Sequence, residues 1–354
     1  MNLFITLDYE LFGDGSGDVF THIVEPTNFI LEVCQKAGIR TTIFFEALEY
    51  LKIKEEWECG NTMGYSKNPI EAIEQQIQKA AKAGHDIQLH IHPQWYDAKY
   101  QNGKWRLDHN HWRLGDFVGS QNYGVKELMS DCKSALEAVV QQVKPDYKCI
   151  GLRAGGYNIM PSSKVYLAML ELGIKFDSSV YPGGYESGSL SKYNYRRVPL
   201  ELDYWWGDVN DIRKVSENSQ GVLEIPIFAL PIPPWKRVFT YAKVKSLLLG
   251  VNNAVSANSK EKLVSKSIKE KLKYMFQPEP ATWDVCMYSK SLHKSYFKYI
   301  ETHLPEQRSS YVLIGHPKNL QDQSLFKSFI EVAKSRKHEY LFITLSEKYA
   351  EIVD

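Results

Sequence analysis

Lys82-Ala83-Gly84-His85-Asp86-Ile87-Gln88-Leu89-His90-Ile91-His92-Pro93 decides the fold. Its first part reads as the end of a helix, with glycine where the chain must turn left-handed to stop. A short run follows whose apolar residues alternate, the mark of a strand. Two histidines, one residue apart, then stand at the strand's exit. The same joint recurs as Lys36-Ala37-Gly38-Ile39 and as Glu171-Leu172-Gly173-Ile174. Repeated units of helix, glycine and strand imply parallel strands in an α/β fold.

Working outward, strands are expected over 3–7, 40–45, 85–91, 147–152 and 174–176. Helices are expected over 26–37, from Asn68-Pro69 to Gly84, and over 123–143. A further helix, capped by Ser162 and Ser163, ends at Gly173. Residues 178–220, rich in Gly, Ser, Tyr and Trp, read mostly as long loops, and 222–228 as a strand. Lysines at helical spacing over 243–274 predict a helical insertion, and 288–301 a further helix. The end returns to the first pattern: strand 311–314, helix 320–335, strand 340–344. We therefore expect one barrel-like α/β domain over 1–354, with an irregular and helical insertion at 178–305.

The chain has 354 residues, 44% hydrophobic and 24% charged, an ordinary globular composition. Lys+Arg total 43 and Asp+Glu 42, so no global basic field exists to hold nucleic acid or an anionic membrane. No stretch approaches the roughly 18 apolar residues of a membrane span. Cys34, Cys59, Cys132, Cys149 and Cys286 include no CxxC pair and read as ordinary buried thiols of a reducing compartment. With no signal-peptide pattern at the start, the expected location is cytoplasmic.

The chemistry collects at strand ends. Asp8 and Glu10 follow the first strand, His90 and His92 the 85–91 strand, Arg153 the next, Asp177 the one after, and His316 the 311–314 strand. In parallel barrels those ends form one rim, where active sites lie. Carboxylates there offer hard oxygen ligands and a general base; the alternative is a solvated strand exit. Side-chain alternation puts His90 and His92 on one face, a spacing that suits a divalent metal such as zinc or, otherwise, a hydrogen-bonded pair. His85, on the opposite face, reads as structural, and His109 and His111 as loop histidines. Arg153 would orient a carboxylate bidentately, and His316 would be a proton donor. Gly13, Gly15 and Gly17 lack the helix start and lysine of a phosphate loop. Trp95, Tyr96, Tyr204, Trp205 and Trp206 are either core aromatics or platforms for sugar rings.

The order of these motifs resembles the polysaccharide deacetylase (NodB-homology) family. Thr6-Leu7-Asp8-Tyr9-Glu10, Gly84-His85-Asp86-Ile87-Gln88-Leu89-His90, Arg153-Ala154-Gly155-Gly156-Tyr157, Phe176-Asp177-Ser178-Ser179 and Leu313-Ile314-Gly315-His316 resemble its five motifs in sequence. The resemblance covers about 1–180 and 305–350. It implies a distorted (β/α)7 barrel that removes N- or O-acyl groups from sugars with a divalent metal, zinc first and Co, Mn or Ni as alternatives. It implies Asp8 as base, Arg153 holding Asp8, His316 as acid, and Asp177 tuning His316. It further implies backbone near Tyr157 at the oxyanion, and a carboxylate with two histidines as metal ligands. The chain departs from the pattern in three places. Tyr9 separates the two carboxylates, so Glu10, or Asp8 itself, serves as the carboxylate ligand. Gln94 stands where the second histidine belongs, leaving His92 as its substitute. Gly155 stands where proline is usual. The expected substrate is a sugar or glycan, a soluble or lipid-linked precursor, with no nucleic acid and no integral membrane association. Rival readings are a metal-dependent glycoside hydrolase on a similar barrel and a non-catalytic carbohydrate-binding relative.

Overall fold

The computed structural model describes residues 1–218, 220–238, 275–304, 308–336 and 339–354. The helix expected over 243–274 lies outside them. The central wall consists of β1 (Asn2–Tyr9), β2 (Thr42–Glu46), β3 (Asp86–Ile91), β4 (Gly151–Ala154), β5 (Phe176–Asp177), β6 (Leu223–Glu224) and β7 (Ser310–Gly315). These strands run parallel in the order β6-β5-β4-β3-β2-β1-β7. Past β6 the chain crosses to β7. Ile227 bridges Val312 in parallel, and Phe228 N donates to Val312 O at 2.9 Å. The sheet thus curls into the expected distorted barrel. Trp205–Trp206 extends it antiparallel beside β6, and Leu341–Phe342 pairs the start of β1.

Buried parallel strands read as near-continuous apolar runs because both faces are covered. Phe4-Ile5 and Leu7 of β1 and Tyr311-Val312-Leu313-Ile314 of β7 are such runs, and all are buried. The covering helices are α1 (Glu25–Ala37), α2 (Ala47–Glu58), α3 (Pro69–Lys82), α4 (Val125–Gln141), α5 (Ser163–Leu172), α6 (Lys290–His303), α7 (Gln323–Lys334) and α8 (Leu345–Val353).

The three glycine joints form as read. Gly38, Gly84 and Gly173 take φ of 71°, 89° and 71°. At each, the glycine N–H bonds the carbonyl three residues back. The next N–H bonds the one five back: Ile39 to Cys34, His85 to Ala80, Ile174 to Met169. Asn68 caps α3, its side chain accepting from Ile70 N at 2.9 Å.

Some expectations are corrected. The 147–152 strand begins only at Gly151. Ile150 N and Gly151 N donate to the side-chain oxygen of Gln88, at 3.0 and 2.6 Å, instead of to a neighbouring strand. Ser162 does not cap α5; its hydroxyl accepts from Ile212 N at 3.0 Å. The strand expected over 222–228 stops at Glu224, shortly before Pro226, which has no N–H to give a ladder. The loops over 178–220 include the hairpin Tyr185–Ser187 and Lys192–Asn194. Four cysteines are buried thiols, but Cys59 is exposed at the end of α2. Among the described residues no helix is long and apolar enough to cross a membrane.

Candidate active site and metal centre

The exits of β1, β2, β3, β4 and β7 converge. Asp8 and Glu10 are two apart on extended chain, so both face the same way while Tyr9 turns outward. The Tyr9 hydroxyl donates to Gln76 at 2.8 Å. The intervening tyrosine therefore costs the carboxylates nothing in placement. His90 on β3 and His92 just past its end repeat the same spacing.

Asp8 is 3% exposed and held from two sides. Arg153 NH1 lies 2.6 Å from its Oδ1, and His316 Nε2 lies 3.6 Å from its Oδ2. Arg153 is fully buried. It also donates to Thr6 Oγ1 at 2.8 Å and to Ser178 O at 2.8 Å, with its guanidinium 4.1 Å from the Phe44 ring centre. So many contacts fix the arginine's plane and, through it, Asp8. Burial pushes the Asp8 carboxyl up, but Arg153, then His90 and His316, outweigh it and leave it below the usual range.

His316 has the opposite balance. Burial disfavours its charge, but Asp284 and Asp8 raise it above the ordinary histidine value. Its Nδ1 is 3.1 Å from Asp284 Oδ2. Asp284 is itself fixed by Cys286 N and Met287 N, at 2.8 and 3.0 Å on its other oxygen. The carboxylate bonded to His316 is thus Asp284, not Asp177. Asp177 accepts from Ser179 N at 2.8 Å and Ser179 Oγ at 2.7 Å, and is fully buried beside Glu224.

The second half of the site is a knot of carboxylates and imidazoles. Glu10 Oε2 lies 2.7 Å from His92 Nε2 and 3.5 Å from His90 Nε2. Its Oε1 accepts from Lys318 Nζ at 2.8 Å, and that ammonium also donates to Leu11 O at 2.7 Å. Burial raises Glu10, but Lys318 and His92 draw it well below the usual carboxylate range. His90 Nδ1 is 2.8 Å from Arg153 O, and His92 Nδ1 is 2.9 Å from Gln94 Nε2. Glu46, at the exit of β2, closes the group. One ligand-type atom from each of Glu10, Glu46, His90 and His92 lies within 4.8 Å of the others.

Sequence reasoning missed Glu46, Asp284, Lys318 and Trp112. Glu46 and Lys318 had findable signals: each sits at or just past a strand end on the rim already chosen. Asp284 lies inside the apolar run Ala281-Thr282-Trp283-Asp284-Val285-Cys286, an odd place for a carboxylate. Trp112 is half-buried, 6.4 Å from the His92 ring centre.

The aromatics chosen from sequence are elsewhere. Trp95 is 1% exposed and packs against Trp105 at 5.0 Å. Trp205 is 3% exposed, with its indole N–H on Ile212 O at 2.8 Å. Both are core residues, and Trp206 is half-buried on the strand outside β6, four strands from His90 in the sheet order. Tyr157 does come to the rim. It and Gly156 take positive φ, 64° and 55°, and its carbonyl accepts from the Tyr195 hydroxyl at 2.6 Å. His85 bonds Thr41 N at 3.0 Å outside the site, and burial lowers it to about 4. The glycine loop flanks the site: Gly13 packs on Trp112, and Gly13 O lies 3.5 Å from Gln94 Nε2.

No family model matches the chain, and no curated protein does. Solved structures superpose on it over nearly its full length. A presumed polysaccharide deacetylase from Mycobacterium smegmatis superposes with a TM-score of 0.50 at 10% identity, covering 99% of this chain and 90% of that one. An allantoinase gives 0.49 at 14% identity, covering 98% and 88%. A polysaccharide deacetylase from Bacillus cereus gives 0.40 at 10% identity, covering 98% and 93%. The first of these superpositions shows a likeness of fold alone.

Proposed function

We propose that the chain is a metal-dependent hydrolase that removes an N-acyl group, acetyl or formyl, from a sugar or glycan precursor. The observation that carries this is Asp8, locked between Arg153 and His316 beside a buried cluster of acceptor atoms. A cation fits that cluster. His90 Nε2 and Glu46 Oε2 are buried without a hydrogen-bond partner, and histidine and carboxylate are the donors a zinc-like ion takes. His90, His92 and Glu10 would hold it. When bound, a divalent ion, zinc first, supplies Lewis acidity: it polarises a carbonyl and makes water a nucleophile near neutral pH.

The chain's own residues supply the rest. Asp8, kept ionised, takes a proton from the attacking water at Oδ2. His316, kept protonated, returns one from Nε2 to the leaving amine. Arg153 keeps Asp8 in place, and Asp284 keeps the His316 ring turned with Nε2 toward the mouth. The Tyr157 N–H, on a turn held by Tyr195, is the donor assigned to the developing oxyanion. Trp112 offers the face on which a sugar ring stacks.

The glycoside hydrolase reading needs two carboxylates flanking a bond. Asp177, its second candidate, is sealed behind Ser179, which counts against it. Five unpaired thiols support a reducing, cytoplasmic location. The test is product analysis on N-acylated sugars before and after chelation. The reading expects acetate or formate release that chelation stops and Zn²⁺ restores. Release that ignores chelation, or reducing sugar without acyl release, contradicts it.

A further inference from the structure

We propose that Glu46 is a fourth ligand of the metal centre, so that the ion is held by two histidines and two carboxylates from three adjacent strands. This rests on the reading above that a metal binds, and goes beyond the single carboxylate named there.

The placement follows from register. β2 lies between β1, which delivers Glu10, and β3, which delivers both histidines; Glu46 pairs with His90 across the parallel ladder. Glu46 is the last residue of β2, and α2 starts at once. Its Oε1 serves as the helix cap, accepting from Leu48 N and Glu49 N at 3.3 and 3.4 Å. With one oxygen committed to the cap, the carboxylate cannot turn freely. The other, Oε2, is buried and has no partner.

Among the described residues, no side chain around it supplies a hydrogen bond. His90 Nδ1 faces a carbonyl, Arg153 O, which can only accept, so in the neutral ring Nδ1 carries the proton and Nε2 is the acceptor. Lys318, the cation at this cluster, is spent on Glu10 Oε1 and Leu11 O. Two acceptor atoms, Glu46 Oε2 and His90 Nε2, thus lie buried without a partner beside the His92–Glu10 pair, which is unfavourable unless a cation joins them. One ligand-type atom from each of Glu10, Glu46, His90 and His92 lies within 4.8 Å of the others, and the 3.5 Å from Glu10 Oε2 to His90 Nε2 is close to the roughly 3.3 Å edge of a tetrahedron built on zinc bonds of about 2.0–2.1 Å. Asp8 is outside this set: its oxygens face Arg153 and His316.

Full-length apo protein titrated with Zn²⁺ by calorimetry tests the assignment. The wild type should bind one ion. Glu46→Gln keeps the capping oxygen and the shape but loses the charge, and affinity should fall by about tenfold or more. Unchanged affinity removes Glu46 from the site and leaves the metal reading standing. A wild type that binds no ion overturns both. Anomalous diffraction from wild-type crystals soaked in Zn²⁺ needs no variant to fold. An ion about 2.0–2.2 Å from a Glu46 oxygen supports the ligand; an ion on His90 and His92 with Glu46 beyond bonding distance overturns it.

Discussion

Gly155 and His92 are best understood together. A Cβ built on Gly155 would stand 2.4 Å from His92 Cγ and 2.6 Å from its Nδ1, so the imidazole occupies the space a side chain would need. The ring cannot retreat easily, because its nitrogens are engaged by Glu10 and Gln94. Two departures from the deacetylase pattern, histidine at 92 and glycine at 155, are then one change. A histidine that reaches the cluster from position 92 requires the absence of a side chain at 155. Gly155→Ala should cost about 1–3 kcal/mol, as overpacking does, and weaken metal binding. In a His92→Ala background the same substitution should be nearly free, because the ring it strikes is gone. Denaturant unfolding of the two singles and the double reads this coupling directly. An equal cost in both backgrounds would dissolve the pairing.

The elements show what a sequence can and cannot disclose. The helix–glycine–strand joints were legible because their chemistry is local: one glycine and two backbone hydrogen bonds. Asp8, Glu10, His90, His92, Arg153 and His316 were legible because strand ends in a parallel barrel share a rim. α2 was not, since Leu48, Glu49, Tyr50 and Ile53 are all buried and leave no polar and apolar faces to recognise. α8 announced itself only by Thr344 and Glu347, a capping box. Asp284 was hidden for a different reason. It belongs to a segment, 281–287, whose place depends on a distant strand: Asp284 bridges Ile314, and Val285 N donates to Ile314 O at 2.8 Å. That docking brings a carboxylate to His316 from thirty-two positions away. Its consequence is a pH effect with a definite sign. An acid works only while protonated, so activity should fall as pH rises through the raised pKa of His316. Asp284→Asn removes the charge that raises it, and the alkaline limb should move to lower pH. A pH–rate profile whose alkaline limb is unmoved in Asp284→Asn would remove Asp284 from the role of tuning His316.

The whole molecule is an arrangement for holding opposite charges close without letting them neutralise each other's function. The barrel wall buries Asp8 and Arg153, loops past β7 bring His316 and Lys318, and a segment from within 178–305 contributes Asp284. One side of the mouth holds a carboxylate drawn below its ordinary pKa; the other holds a histidine raised above its own. The division of labour between base and acid is tested by comparing two substrates on one variant. An activated acyl ester has a leaving group that departs without a proton, whereas a sugar amide does not. With His316→Ala, hydrolysis of the amide should drop by a factor on the order of 10²–10⁴, while the ester should turn over at close to the wild-type rate. Wild-type rates on both substrates would contradict the account.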